Sequence, residues 1–199
     1  AVIVDPNFLR TLPRRQIING LAEAIKIFLT SDAKMFGFVE NNLHKIIAGD
    51  HHGLLKVISR SLELKAAIVE RDEKESGERM ILNFGHTIGH ALEAGGGYKL
   101  LHGEAVALGM IVEARISQAL GLLSQEAVER IEKIVRRLGV KPLIVKKLNK
   151  NKIISAMNAD KKGQNRLVLL KAIGKVQAEK GLFVQAVAGA LIKKNLFMK

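Results

Sequence analysis

The densest chemistry in the chain lies in Asn83-Phe-Gly-His86-Thr-Ile-Gly-His90-Ala-Leu-Glu93, where two histidines stand four residues apart. On a helix that spacing stacks both imidazoles on one face, where they can chelate a divalent metal or divide into a ligand and an acid/base group. A solvated surface pair is the plainer reading of the same spacing. Against it stand Gly85 and Gly89, also four apart. Each costs a helix interior about 1 kcal/mol relative to alanine, which calls for a compensating close approach by another backbone or a ligand. The residue after the first histidine is Thr87, where a zinc-protease helix carries its glutamate base, so that class is excluded.

The chain has no cysteine, so any metal must be held by histidine and carboxylate. A third histidine, His102, opens the run His-Gly-Glu-Ala-Val-Ala-Leu-Gly-Met after the break Gly95-Gly-Gly-Tyr98. A turn there would fold the next helix back and bring His102 near His86 or His90; taken alone, His102 reads as a cap or a packed side chain. Catalytic zinc commonly takes two histidines and a carboxylate and keeps one position open. Glu23, in Gly20-Leu-Ala-Glu-Ala-Ile-Lys26, offers the carboxylate, with an i,i+3 ion pair to Lys26 as the alternative. The small residues Gly20, Ala22 and Ala24 favour tight packing and an inward-facing Glu23.

A second polar set, Lys65, Asp72, Glu73, Glu75, Arg79 and Asn83, precedes the histidines. Asp72 and Glu73 belong to a charge run that reads as a solvated turn. Arg79 and Asn83 are expected to share a helical face with His86 and His90, which would place donors for an anionic, oxygenated substrate beside a metal.

The elements that must position these groups are mostly helices. Apolar residues recur with helical spacing over 17–29, 33–40, 42–47, 53–72, 79–94, 103–120, 125–138 and 150–159. After Asp160, Arg166-Leu-Val-Leu-Leu-Lys, Gly174 and Lys175-Val-Gln-Ala-Glu-Lys-Gly predict a small hairpin, followed by a last helix from about Leu182. The opening Ala-Val-Ile-Val-Asp reads as a buried strand ending at Pro6 and Asn7, and a strand needs neighbours. The fold class is therefore mainly α: a helical bundle over 13–199 with a small hairpin near the C-terminus, and 1–12 as a strand or linker left from a domain upstream.

The chain has 199 residues, 48% of them apolar, and a formal charge of +13, a field that draws in anions. One tyrosine, no tryptophan and seven scattered phenylalanines give no aromatic interleaving for single-strand nucleic acid, and nucleic-acid binding is disfavoured. No run of about eighteen apolar residues and no signal peptide is present, so a cytoplasmic protein without a membrane partner is expected.

Taken together, these residues resemble the 3-dehydroquinate synthase family. The ordered stretches that carry the likeness are DPNFLRTLP from Asp5, GLAEAIK from Gly20, KAAIVERDEKE from Lys65, RMILNFGHTIGHALE from Arg79, HGEAVALGM from His102 and DKK from Asp160. The resemblance implies metal ligands at Glu23, His86 and His102 for zinc or cobalt, with His90 as the acid/base or phosphate-facing histidine. It implies substrate contacts at Lys26, Lys65, Arg79 and Asn83, with Glu75 nearby and either Lys161 or Lys162 on the phosphate. The implied reaction converts 3-deoxy-D-arabino-heptulosonate 7-phosphate to 3-dehydroquinate and phosphate in the shikimate route, using NAD, in a homodimer. No dinucleotide fingerprint occurs here, so NAD is expected to bind mainly in an absent N-terminal half and this polypeptide alone to be inactive. Competing readings are another sugar-phosphate cyclase, a metal-dependent polyol dehydrogenase, or a basic non-catalytic helical module for nucleic acid or a protein partner.

Overall fold

A computed structural model describes residues 3–97, 99–141, 145, 147–159, 165–179 and 181–197. Helix α1 (Arg14–Ser31) ends at Asp32, whose extended backbone stops it and whose carboxylate then caps α2 (Ala33–Ile47) by accepting from Met35 N at 3.0 Å. The same carboxylate accepts from Arg60 Nε at 2.7 Å, tying the α1–α2 corner to α3 (His51–Arg71). The single α2 replaces the two helices predicted over 33–47: Asn41 is exposed, Asn42 is half-buried and donates from Nδ2 to Phe38 O at 2.9 Å, and Val39 and Leu43, four apart, are both buried.

Further helices are α4 (His86–Gly95), α5 (His102–Ala119), α6 (Gln125–Arg137), α7 (Lys150–Ala159) and α8 (Gly189–Leu196). Helix α5 is buried nearly all round, from Gly103 to Ser117, as a helix apolar on every face must be. It packs against α1, α4, α6 and α8, and so meets both helices that carry the other members of the acid–imidazole cluster, Glu23 on α1 and His86 on α4. None of the described helices is long and apolar enough to cross a membrane.

Four short strands lie between α7 and α8: β1 (Asn165–Leu167), β2 (Leu170–Ala172), β3 (Lys175–Val176) and β4 (Gln185–Val187). The expected hairpin is present as β2 antiparallel to β3, turning through Gly174 at φ +82°. Gly174 N donates to Leu29 O at 2.8 Å, which anchors that turn on α1. The last helix begins at Gly189, later than the predicted Leu182, because β4 pairs with β1, Asn165 opposite Val187 and Leu167 opposite Gln185.

Two further expectations are corrected. Residues 3–5 form no strand: Ile3 is 92% exposed, and Pro6–Thr11 wind into a 3-10 helix begun by the Asp5 carboxylate on Asn7 N. The predicted helix over 79–94 is broken, with a 3-10 helix over Glu78–Asn83, extended Phe84, and Gly85 in the left-handed region at φ +78° before α4 starts. The break has a cause on α5, because Gly85 N donates to the buried Glu113 Oε2 at 2.8 Å. A side chain at Gly85 would meet Val106 O at 2.8 Å and Met110 Cγ at 2.9 Å. At Gly89 a Cβ would lie 3.1 Å from Val106 Cα, so the close approach anticipated for this glycine pair is made by α5.

Burial pushes the Glu113 carboxyl well above the ordinary range, only partly opposed by the Gly85 N–H. The folded chain thus keeps this proton where the unfolded chain has released it, and stability falls as pH rises beyond the ordinary carboxylate range. Glu113→Gln, neutral at every pH and still offering an oxygen to Gly85, should melt above the parent by a margin that widens as pH rises beyond the ordinary carboxylate range. A constant margin in thermal melts across that rise would remove the buried proton from the account.

Candidate metal centre and anion cavity

Three helices deliver the acid and the imidazoles. Glu23 stands in the middle of α1, while His86 and His102 are the first residues of α4 and α5. The start of α5 is fastened to α1 twice: Asn19 Oδ1 accepts from Gly103 N at 2.6 Å, and Arg15 grips Glu104 through Nε at 2.7 Å and Nη2 at 2.8 Å. A Cβ on Gly103 would collide with the Asn19 carbonyl, so α1 and α5 touch backbone to backbone one turn from Glu23. The expectation of tight packing around Glu23 holds at the buried Ala22 and Ala24 but not at Gly20, whose Cβ position is open.

Glu23 Oε1 lies 3.5 Å from His102 Nε2 and 3.8 Å from His86 Nε2, and one ligand atom from each of the three gathers within 4.8 Å. The other carboxylate oxygen, Oε2, accepts from Lys26 Nζ at 2.9 Å, so Glu23 makes the anticipated ion pair while facing the imidazoles. Burial raises the Glu23 pKa, but the Lys26 ammonium and hydrogen bond, with the charges of His86 and His102, bring it below the ordinary carboxylate value. Burial also lowers the Lys26 pKa, against the pull of Glu23 and with the help of Lys65.

Burial, then the Lys26 charge, push His86 down to about 4, so its imidazole is neutral at ordinary pH. Its Nδ1 faces Phe84 O at 3.3 Å. A carbonyl only accepts, so the ring proton sits on Nδ1 and the Nε2 lone pair points toward Glu23. Glu23 Oε1 is itself buried with no hydrogen-bond partner among the described residues. Electron pairs therefore converge without a proton between them, which a cation would resolve. About 2.0–2.1 Å bonds in tetrahedral zinc coordination set neighbouring ligand atoms ~3.4 Å apart, close to the separations found here. His90 follows one turn after His86, exposed, with ring centroids 5.5 Å from His86 and 5.8 Å from His102.

A cavity of about 700 Å³ opens beside this cluster, lined by Lys26, Lys65, Glu75, Arg79, Asn83, Glu23 and His86 among apolar residues of α1 and α3. That volume suits a small-molecule ligand, and the lysine and arginine side chains on its wall suit an anionic one. Arg79 and Asn83 reach it from the 3-10 helix, not from a helical face shared with the histidines. Glu75, at φ +55°, accepts from Asn83 Nδ2 at 2.7 Å, and Arg79 Nη1 donates to Glu73 O at 2.7 Å.

Asp72, read from the sequence as part of a solvated turn, organises this loop. It caps the end of α3 and accepts from Ser76 N at 3.0 Å, Gly77 N at 2.8 Å and Arg79 N at 2.9 Å. Those N–H groups, Arg79's foremost, hold its pKa below the ordinary value. The signal was local: an aspartate just past a helix end, followed by Ser-Gly, is built for such a turn. Lys161 and Lys162 lie outside the described residues.

The family described as 3-dehydroquinate synthase C-terminal matches residues 20–163. A 3-dehydroquinate synthase of Acinetobacter baylyi is 42% identical over 195 residues, covering 96% of this chain and 54% of that protein. The chain thus spans about half the length of the curated relative it matches. Among solved structures, the 2-epi-5-epi-valiolone synthase of Streptomyces hygroscopicus subsp. jinggangensis 5008, with NAD+ and Zn2+ bound, superposes with TM-score 0.81 at 25% identity. It is covered over 96% of this chain and 53% of its own. A 2-deoxy-scyllo-inosose synthase complexed with carbaglucose-6-phosphate, NAD+ and Co2+ superposes with TM-score 0.78 at 24% identity, over 96% of this chain and 55% of that one, and speaks for the fold.

Proposed function

This chain belongs to the 3-dehydroquinate synthase family, and on that premise we propose that it is the metal- and substrate-binding portion of an enzyme converting 3-deoxy-D-arabino-heptulosonate 7-phosphate to 3-dehydroquinate and inorganic phosphate. The observation that carries the reading is the meeting of Glu23, His86 and His102 beside a cavity lined with cationic and amide groups. When bound, a divalent cation held by those three residues, Zn2+ or Co2+, supplies Lewis acidity, and NAD, placed mainly outside this chain, supplies hydride exchange.

The chain's own groups bind and orient a polyanion. Lys26, Lys65 and Arg79 face the cavity and pair with the substrate's carboxylate and phosphate, while Asn83 offers an amide to its hydroxyls. Glu75 holds the Asn83 amide in place. His90, next to the cluster and open to solvent, takes up or returns a proton during the reaction or faces the phosphate. Lys161 or Lys162 adds a further phosphate contact. Preorganised positive groups in a partly enclosed cavity stabilise developing negative charge without reorganising as the reaction proceeds.

We assign residues 1–12 to the junction with the nucleotide-binding portion, and the complete protein to a cytoplasmic homodimer. This polypeptide alone should not turn over. The second reading, another sugar-phosphate cyclase, is favoured by the fold shared with valiolone and inosose synthases, whereas Lys65, Arg79 and Asn83 together favour the heptulosonate. The complete protein settles the choice by its phosphate release. Release from the heptulosonate, falling at least ~100-fold in Arg79→Ala, is the expected result; release from a different sugar phosphate alone would overturn it.

A further inference from the structure

His102 has no backbone device like the one that orients His86. Its ring is 42% exposed, and its Nδ1 faces a single described polar partner, Glu93 Oε1, at 3.3 Å. Glu93 is the eighth residue of α4, two turns beyond His86 on the same face, and its side chain is only 16% exposed. An imidazole that presents a lone pair at Nε2 must carry its proton at Nδ1, and a carboxylate can only accept that proton's hydrogen bond.

We propose that Glu93 is a positioning residue: by accepting from His102 Nδ1 it fixes the tautomer and tilt that turn Nε2 toward Glu23. The proposal rests on the metal reading above and deepens it. One helix then supplies both a ligand, His86, and the group that aims the ligand of its neighbour. Outer partners of this kind keep a ring from wandering and raise its basicity as a ligand.

The same side chains admit a rival arrangement, because ligand atoms of His90, Glu93 and His102 also gather within 4.8 Å. His102 could join a second ion through Nδ1 only by giving up its last ring proton while Nε2 serves the first, which a neutral imidazole resists. The orienting role therefore implies one ion per chain.

The test combines Co2+ titration, the visible spectrum of the bound Co2+, and nitrogen NMR of the His102 tautomer in the metal-free chain. Glu93→Ala and Glu93→Met, the latter keeping the stem of the side chain, should each weaken Co2+ binding by ~10–100-fold and alter the spectrum. Both should also release His102 from the Nδ1–H tautomer. Glu93→Gln, whose amide oxygen still accepts, should restore all three. A purely structural role would leave the tautomer unmoved. Parent-like affinity and tautomer in Glu93→Ala, with Co2+ binding lost in His86→Ala, would overturn this proposal and leave the metal reading standing. Two ions per parent chain, one of them lost with Glu93, would overturn it in favour of the second site. No Co2+ uptake by the parent would overturn both.

Discussion

Gly109→Ala should unfold or severely destabilise the chain, by at least ~3 kcal/mol, and should weaken metal binding in whatever folded population survives. A Cβ there would overlap the Gly85 carbonyl, lie 2.9 Å from the Gly85 carbonyl carbon, and stand 3.0 Å from Gly89 N. These are backbone atoms and cannot swing aside as a side-chain tip can. Relief requires α4 to move off α5, which separates His86 from His102 and breaks the Gly85 bond to Glu113. Gly20→Ala is the contrast, because its Cβ has nothing within 4 Å and a helix gains from alanine. Chemical denaturation of the two variants should differ in sign; equal small effects would mean that the α4–α5 contact is looser than described.

Saturating Zn2+ should raise the melting temperature strongly, since an ion that binds only the folded chain stabilises it by about 4 kcal/mol at a thousandfold excess over Kd. Protons compete for the ligands, and the direction of that competition follows from His86. With its pKa pushed down to about 4, its ring stays unprotonated far below the usual histidine range. His86 should therefore not be what limits uptake on mild acidification; its own competition with protons should set in only as pH falls toward that value. Melts with and without Zn2+ across a pH series measure this. An increment that persists in His86→Ala would mean that zinc is held elsewhere.

Much of this site was legible because its residue types are out of place in their surroundings. Glu23 and Lys26 interrupt an apolar helix, and paired histidines flanked by glycines have no packing role of their own. The elements with a plain apolar signal, continuous in α5 and strongly periodic in α6, run nearly where their patterns put them. What was not legible depends on partners far along the chain. The pattern over 79–94 reads as one helix, yet Glu113, 28 residues from Gly85, bends it there. The β4 strand exists only because β1 offers a partner, and nothing within Gln185-Ala-Val distinguishes it from a helix start. Asp72 is legible only in part: its charge run is the solvated turn the sequence suggests, with residues 73–76 exposed, but nothing in the run of charges tells that its oxygens also collect backbone N–H groups.

One cation shared by an acid from α1 and imidazoles from α4 and α5 is what the proposed chemistry requires. Calorimetric Zn2+ titration of the parent, Glu23→Ala, His86→Ala and His102→Ala measures this directly. One ion per parent chain is expected, with each substitution weakening it by more than the ~10–100-fold that loss of an outer partner costs. Parent-like uptake in all three variants would contradict it.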